Sequence, residues 1–491
     1  MRRVPLLAGA RIAVVDVADD GVVLRPPAPG RAIADVSAAV QEAMRFPLAG
    51  PPLGKLVAPG GTATIVVEPP HLPIPSSGFD PRQEAIAAAA EELETIGVSR
   101  VTIVVATGLQ QRLSPREIGT LFRPGFRRRF RGRVVVHDAE GDDLLEVGPR
   151  LRVSRALVET DLVLTVTAAE TVIAGGPGAL LRCASSEAIR AGGATSLFET
   201  AGSNGWELAV ELERLLSQRV PVFGVSLALN LPTVFGGYPY EEDILERLAR
   251  SKLRRGLGAL PARVRARVIE RVPRELTAAA VFGGMPSAAH SEALVRAIEF
   301  KGARLDEPLD AIVIGIPPTT AFIPRGRPNP LAAAYLGLGL ALRSWRSGFP
   351  VRAGGTAILL HDFQRRFPAP AQTPYRALFA DPRTARDPRA LRDAERAATR
   401  DVEARAAYRA GRSVHPLEPF QSWSACDTSV SRLGTVLVAG CRDAAAARQL
   451  GFVPVHGVSA ALGMARSAGA ERIGYLLSPP YFPLLVGPEA R

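Results

Sequence analysis

Glu68 and His71 share the segment Glu68-Pro69-Pro70-His71-Leu72-Pro73-Ile74-Pro75, and both residue types can carry protons. Closely spaced prolines stiffen such a turn, which either aims the two side chains into a crevice or leaves His71 solvated at the surface. A second segment, Ala106-Thr107-Gly108-Leu109-Gln110-Gln111-Arg112, offers Thr107, Gln110 and Arg112 as polar contacts. Gly108 would let a ligand approach the backbone closely, or it simply marks the exit from a strand. Glu170 and Thr171 precede Ala174-Gly175-Gly176-Pro177-Gly178, where backbone N–H groups before a helix suit a phosphate or carboxylate. Neither the P-loop lysine signature nor the dinucleotide glycine spacing is present, so no nucleotide motif is supported.

The second half of the chain adds arginines. Arg325 and Arg327 lie in the proline-stiffened stretch from 317 to 330, and a guanidinium can grip a carboxylate or phosphate with two bonds. His361-Asp362 repeats the pairing seen at His137-Asp138, which suits either an oriented imidazole or an ordinary turn. The run from Phe122 to Arg133 alternates arginines with Phe122, Phe126 and Phe130. That pattern fits nucleic acid, but the four-residue spacing also describes one apolar helix face packed on a sheet.

Composition limits what these residues can belong to. The chain has 491 residues, a length suited to two or more α/β-sized units, and its 47% hydrophobic and 22% charged residues exclude a disordered chain. Its three cysteines, at 183, 426 and 441, build neither a disulfide framework nor a CxxC metal pair, so a reducing compartment and no metal ligand set are expected. The net charge of +12 comes almost wholly from arginine, because the only lysines are Lys55, Lys252 and Lys301. The apolar run after Met1-Arg2-Arg3 is interrupted by Arg11 and Asp16 before a signal sequence can form. The most apolar later stretch, Leu331 to Leu342, falls short of the roughly 20 residues a membrane helix needs and reads as a buried helix. A cytoplasmic protein with no membrane partner is expected.

The elements that must hold the candidate residues alternate between strand and helix. Strands are predicted over 63–67, 101–106, 133–137, 162–166 and 222–229, with helices over 32–44, 81–96, 115–122 and 208–216. Charged helical sequence fills 241–274. A second set follows, with strands at 311–316, 356–361 and 435–439, helices at 331–346, 388–409 and 442–450, and a helix-strand end over 460–477. This predicts an α/β protein of two domains, 1–275 and 276–491, with largely parallel sheets. In such sheets ligands bind beyond the carboxyl ends of the strands, where the candidate segments begin.

Several of these segments, in order, resemble the nickel-pincer-dependent lactate racemase family. Phe46-Pro47-Leu48, Pro51-Pro52-Leu53, Pro73-Ile74-Pro75 and Ala106-Thr107-Gly108-Leu109 follow the family's order and separations. His137-Asp138-Ala139 is similar to its His-Asp-Ala strand end, Ala174-Gly175 to the start of its glycine-rich motif, and Gly354-Gly355-Thr356 and Gly451-Phe452 to its later segments. The resemblance implies two α/β domains around an interdomain cleft, a nickel-pincer nucleotide joined to a lysine, a nickel-binding histidine and two catalytic histidines.

Individual positions depart from that set. Leu72 stands where the family holds the substrate carboxylate with arginine, Gln110 replaces one catalytic histidine, and Thr171, beside Glu170, replaces the other. The tethering lysine falls near Leu181, and no histidine occurs between His137 and His290, where the nickel ligand is expected near 197. The cofactor is therefore left open. The resemblance implies a divergent 2-hydroxy acid racemase or epimerase acting in the cleft. Glu68, His71, Glu170 and His361 would handle protons, while Thr107, Gly108, Gln110, Arg112, Thr171, Arg325 and Arg327 would hold the substrate. The alternative is a non-catalytic relative that binds a small anion or nucleotide. A hydroxy acid or other small anion, not nucleic acid, is the expected partner.

Overall fold

The structure, a computed structural model, describes residues 2–73, 78–318, 326–367 and 370–487. The β-branched runs Thr62–Val67, Arg100–Val105, Arg133–Val136, Leu162–Ala168 and Val222–Leu229 form one parallel array. Its order is 222–229, 162–168, 62–67, 100–105 and 133–136. Parallel neighbours require long returns, and helices supply the first of them. Helix Pro81–Ile96 begins where Asp80 accepts the Arg82 N–H and ends at Gly97, whose φ of 90° suits a residue without Cβ. Successive residues of a strand point to opposite faces: Ile65 and Val67 pack beneath helices Val36–Arg45 and Pro81–Ile96, while Val66 faces the other core. Both faces being covered explains the unbroken apolar runs in these strands.

A second six-stranded sheet has the order 453–455, 435–439, 351–360, 309–315, 473–476 and 22–24, parallel throughout. The expected division at 275 and 276 is crossed twice by this pairing. Strand Ala278–Gly284 closes the first sheet antiparallel to 222–229, and the early strand Val22–Leu24 joins the second. Periodicity alone does not reveal such exchanges, because pairing is a long-range choice.

Several local expectations change in detail. The apolar start is one strand of a hairpin, Arg2–Ala8 against Arg11–Val17, with Val4, Leu6, Val15 and Val17 buried. The charged region after 241 forms three helices, Glu242–Arg250, Lys252–Ala259 and Ala262–Glu270. The predicted helix at 388–409 breaks at Asp401, whose side chain caps Val402–Arg409 by accepting the Ala404 N–H. Residues 331–342 are fully buried, as expected. The helix there widens, so that the Leu342 N–H bonds the Gly337 carbonyl five residues back, and the chain leaves it before short strand Trp345–Arg346. Phe122, Phe126 and Phe130 stack with centroids 5.2 Å apart, and the first two are buried in the core beneath the first sheet. Packing thus uses the aromatic half of the nucleic-acid pattern. Among the described residues no helix is long and apolar enough to cross a membrane.

Candidate functional site

All the parallel strands of the first sheet end at one edge, so the segments after Val67, Val105 and Ala168 meet there. Their meeting point is Arg182, which follows the short helix Pro177–Leu181 beyond the glycine loop. Its Nη1 lies 3.3 Å from Nδ1 of His71, its Nη2 donates to the Thr107 carbonyl at 3.3 Å, and its Nε lies 3.7 Å from Oε2 of Glu68. Gly108 passes beside it with φ +58°, and a Cβ there would lie 3.7 Å from the guanidinium. A guanidinium only donates, so His71 Nδ1 is the accepting nitrogen and Nε2 carries the hydrogen. Nε2 is buried without a hydrogen-bond partner.

His71 opens onto a cavity of about 320 Å³ between the two sheets, lined also by Gln110, Arg182, Arg190, Tyr335, Arg343 and Glu418. Tyr335, Arg343 and Glu418 come from the second half of the chain. Arg343 is 3% exposed, and its Nη1 donates to the Gly339 carbonyl at 3.1 Å while other nitrogens meet Ala194 and Thr195 carbonyls. No carboxylate pairs with it among the described residues. Burial lowers the His71 pKa to about 3, helped by the positive charges of Arg182 and Arg343, so the imidazole is neutral. Burial raises Glu68 and Glu418 to about 7 each, against the pull of Arg182 on both.

Glu170 sits behind His71 with both oxygens engaged. Its Oε2 accepts the N–H groups of His71 at 2.5 Å and Leu72 at 3.1 Å, and its Oε1 accepts Arg82 Nη1 at 2.8 Å. The geometry makes it the residue that sets the turn, where proton transfer was expected. Thr171 is buried too. Its carbonyl lies 2.9 Å from His290 Nε2, and the His290 ring packs so closely on Gly175 and Gly176 that a Cβ at either would fall within 2.6 Å of it. Thr107 uses its carbonyl on Arg182 and leaves its hydroxyl without a partner.

Other predicted residues lie elsewhere. Arg112 turns toward the Val136 and Arg409 carbonyls and Asp138, away from the cavity. His361 accepts the Phe363 N–H at 3.2 Å beyond the second sheet, where Arg327 bonds Asp362; neither lines the cavity of His71. They belong to a different strand end, which residue type alone does not disclose. Arg325 lies outside the described residues. Arg182, Arg343 and Glu418 were missed. A basic residue one turn past the glycine loop was a usable signal for Arg182, whereas Glu418 and Arg343 sit in elements without motif character.

The residues present do not fit a nickel-pincer nucleotide. No lysine lines the cavity, and among the described residues no group of three or more histidine, cysteine or acidic side chains is placed to hold a metal.

Residues 11–189 match the family described as lactate racemase N-terminal domain. Among solved structures, the chain is similar to the lactate racemase apoprotein from Thermoanaerobacterium thermosaccharolyticum. That likeness has 14% identity and a TM-score of 0.59, covering 98% of this chain and 99% of the other. It is also similar to a Thermotoga maritima protein from the Northeast Structural Genomics Consortium, at 10% identity and a TM-score of 0.50, covering 92% and 97%. No curated protein matches the sequence. Residues 11–189 thus match the lactate racemase N-terminal domain, and the chain as a whole has the fold of the lactate racemase apoprotein.

Proposed function

We propose that the cavity between the sheets binds a small carboxylate of the 2-hydroxy acid type. The observation that carries this is the His71 Nε2–H, a buried donor with no acceptor among the described residues, in a cavity that also presents Arg182 and Arg343, the latter without a carboxylate partner among those residues. An unpaired buried donor calls for an acceptor, and a buried cation calls for an anion. A hydroxy acid supplies both, through its hydroxyl and its carboxylate. Titration calorimetry with D- and L-lactate and longer 2-hydroxy acids tests the reading. Binding is expected for the acids and not for the matching alcohols, and it should be lost in His71→Leu and Arg343→Met. Equal binding of acids and alcohols, or none by either, overturns it.

Glu418 favours a second reading, isomerisation of the bound acid. A carboxyl held near pKa 7 can both take and give a proton at neutral pH, and it faces the same cavity from the other sheet's side. Exchange of the α-hydrogen in heavy water, abolished by Glu418→Gln, supports isomerisation; binding without exchange leaves the chain a small-anion binder.

A further inference from the structure

Across the 68–72 turn lies a second cavity, of about 530 Å³, with Leu72, Ile86, Leu229 and Leu276 on its apolar wall. Its charged groups are unequally satisfied. Arg82 bonds Asp80 at 2.7 Å and Glu170 at 2.8 Å, and Glu170 has no oxygen to spare. Lys301, the last residue of helix Pro286–Lys301, lines the same cavity, is only 6% exposed, and has no hydrogen bond or ion pair among the described residues. Glu68 also lines it, but its Oε2, which accepts no hydrogen bond, is directed to Arg182 Nε at 3.7 Å.

Buried charges are ordinarily paired, so an unpaired buried amine is held best in its neutral form. Burial lowers the Lys301 pKa to about 8, with Glu170 opposing and Arg82 assisting. Asp80, Glu170 and Arg82 leave no excess positive charge to receive an anion, whereas a neutral carbonyl adds no charge. We propose that this cavity binds a small aldehyde or ketone with an apolar body, held as an imine on Lys301. The Nζ lone pair forms the bond to the carbonyl carbon as the C–O π bond breaks toward oxygen. Through solvent, the nitrogen gives up its two protons and the oxygen takes up two, and the C–O single bond breaks as water leaves. The sum is R₂C=O plus H₂N–Lys giving R₂C=N–Lys plus H₂O, with no oxidation or reduction. This site is separate from the hydroxy acid cavity, and its test does not depend on that reading.

The scarcity of lysine makes the test selective, since Lys55 and Lys252 are both exposed. The full chain is incubated at pH 7.5 with hexanal and cyanoborohydride, then read by intact mass and peptide mapping. Lys301 should be alkylated with saturable dependence on hexanal, about tenfold or more faster than the exposed lysines, as a lowered amine pKa implies. Lys301→Arg, which keeps size and charge, should abolish it while leaving Lys55 and Lys252 labelling unchanged. Labelling of Lys301 no faster than of the exposed lysines, or without saturation, overturns the proposal.

Discussion

The side chains at the edge of the first sheet divide into those that set shape and those that remain free for a ligand. Glu170 belongs to the former, because three donors converge on it. Glu170→Ala leaves Arg82 partly unpaired and two N–H groups unsatisfied, so a loss of about 3–5 kcal/mol is expected in urea unfolding. Glu68→Gln should change stability far less, since that carboxyl is already held near neutrality. The buried histidines give a second expectation. His71 is lowered to about 3, His137 and His290 to about 4, and His361 is lowered as well, each chiefly by burial. Unfolded histidines bind protons below about 6.5 while the folded ones do not, so their contribution is complete above that pH and is lost as pH falls toward 4. Glu68 and Glu418 act oppositely: raised to about 7 from 4.5, their contribution is complete below 4.5 and is lost as pH rises to 7. Four groups outweigh two between these limits. The urea midpoint should therefore climb from pH 5 to 6.5, and more steeply in the Glu68→Gln/Glu418→Gln double variant; a flat profile in both contradicts this.

Elements with both a period and a punctuation mark were legible in the sequence. Helix Pro81–Ile96 had Asp80, Pro81 and Gly97 to mark its ends, and strand Val222–Leu229 had an unbroken apolar run. Strand Ala278–Gly284 was not, because alanines and glycines carry little β-propensity and its place depends on a partner far away in sequence. Its small residues have a physical reason. A Cβ on Gly283 would lie 2.0 Å from the Ala43 carbonyl oxygen, so helix Val36–Arg45 can rest on this strand only where a side chain is missing. Gly283→Ala should push that helix outward and cost about 1–3 kcal/mol, read as a lowered thermal midpoint with faster exchange of the amides in 36–45.

At the scale of the molecule, the sequence disclosed the α/β class and which strand ends carry polar residues, but not which of those ends face each other. His361 and Arg327 were as plausible by residue type as Arg343 and Glu418, and only the packing of one sheet against the other separates them. That packing is fastened at the Thr107 to Arg112 segment. The Tyr408 hydroxyl donates to the Gly108 carbonyl at 3.0 Å and accepts the Ala139 N–H at 3.2 Å, the His415 N–H meets the Leu109 carbonyl at 2.8 Å, and Gln111 donates to the Gly411 carbonyl at 2.8 Å. Tyr408→Phe removes the first two bonds without creating a large void and should cost about 1–3 kcal/mol.

The Tyr408 phenol also ties the second half of the chain to the loop that carries Gln110 on the cavity wall, so one hydroxyl holds that part of the wall in place. Hydrogen exchange on Tyr408→Phe should show the amides of 107–112 exchanging faster than in the parent chain.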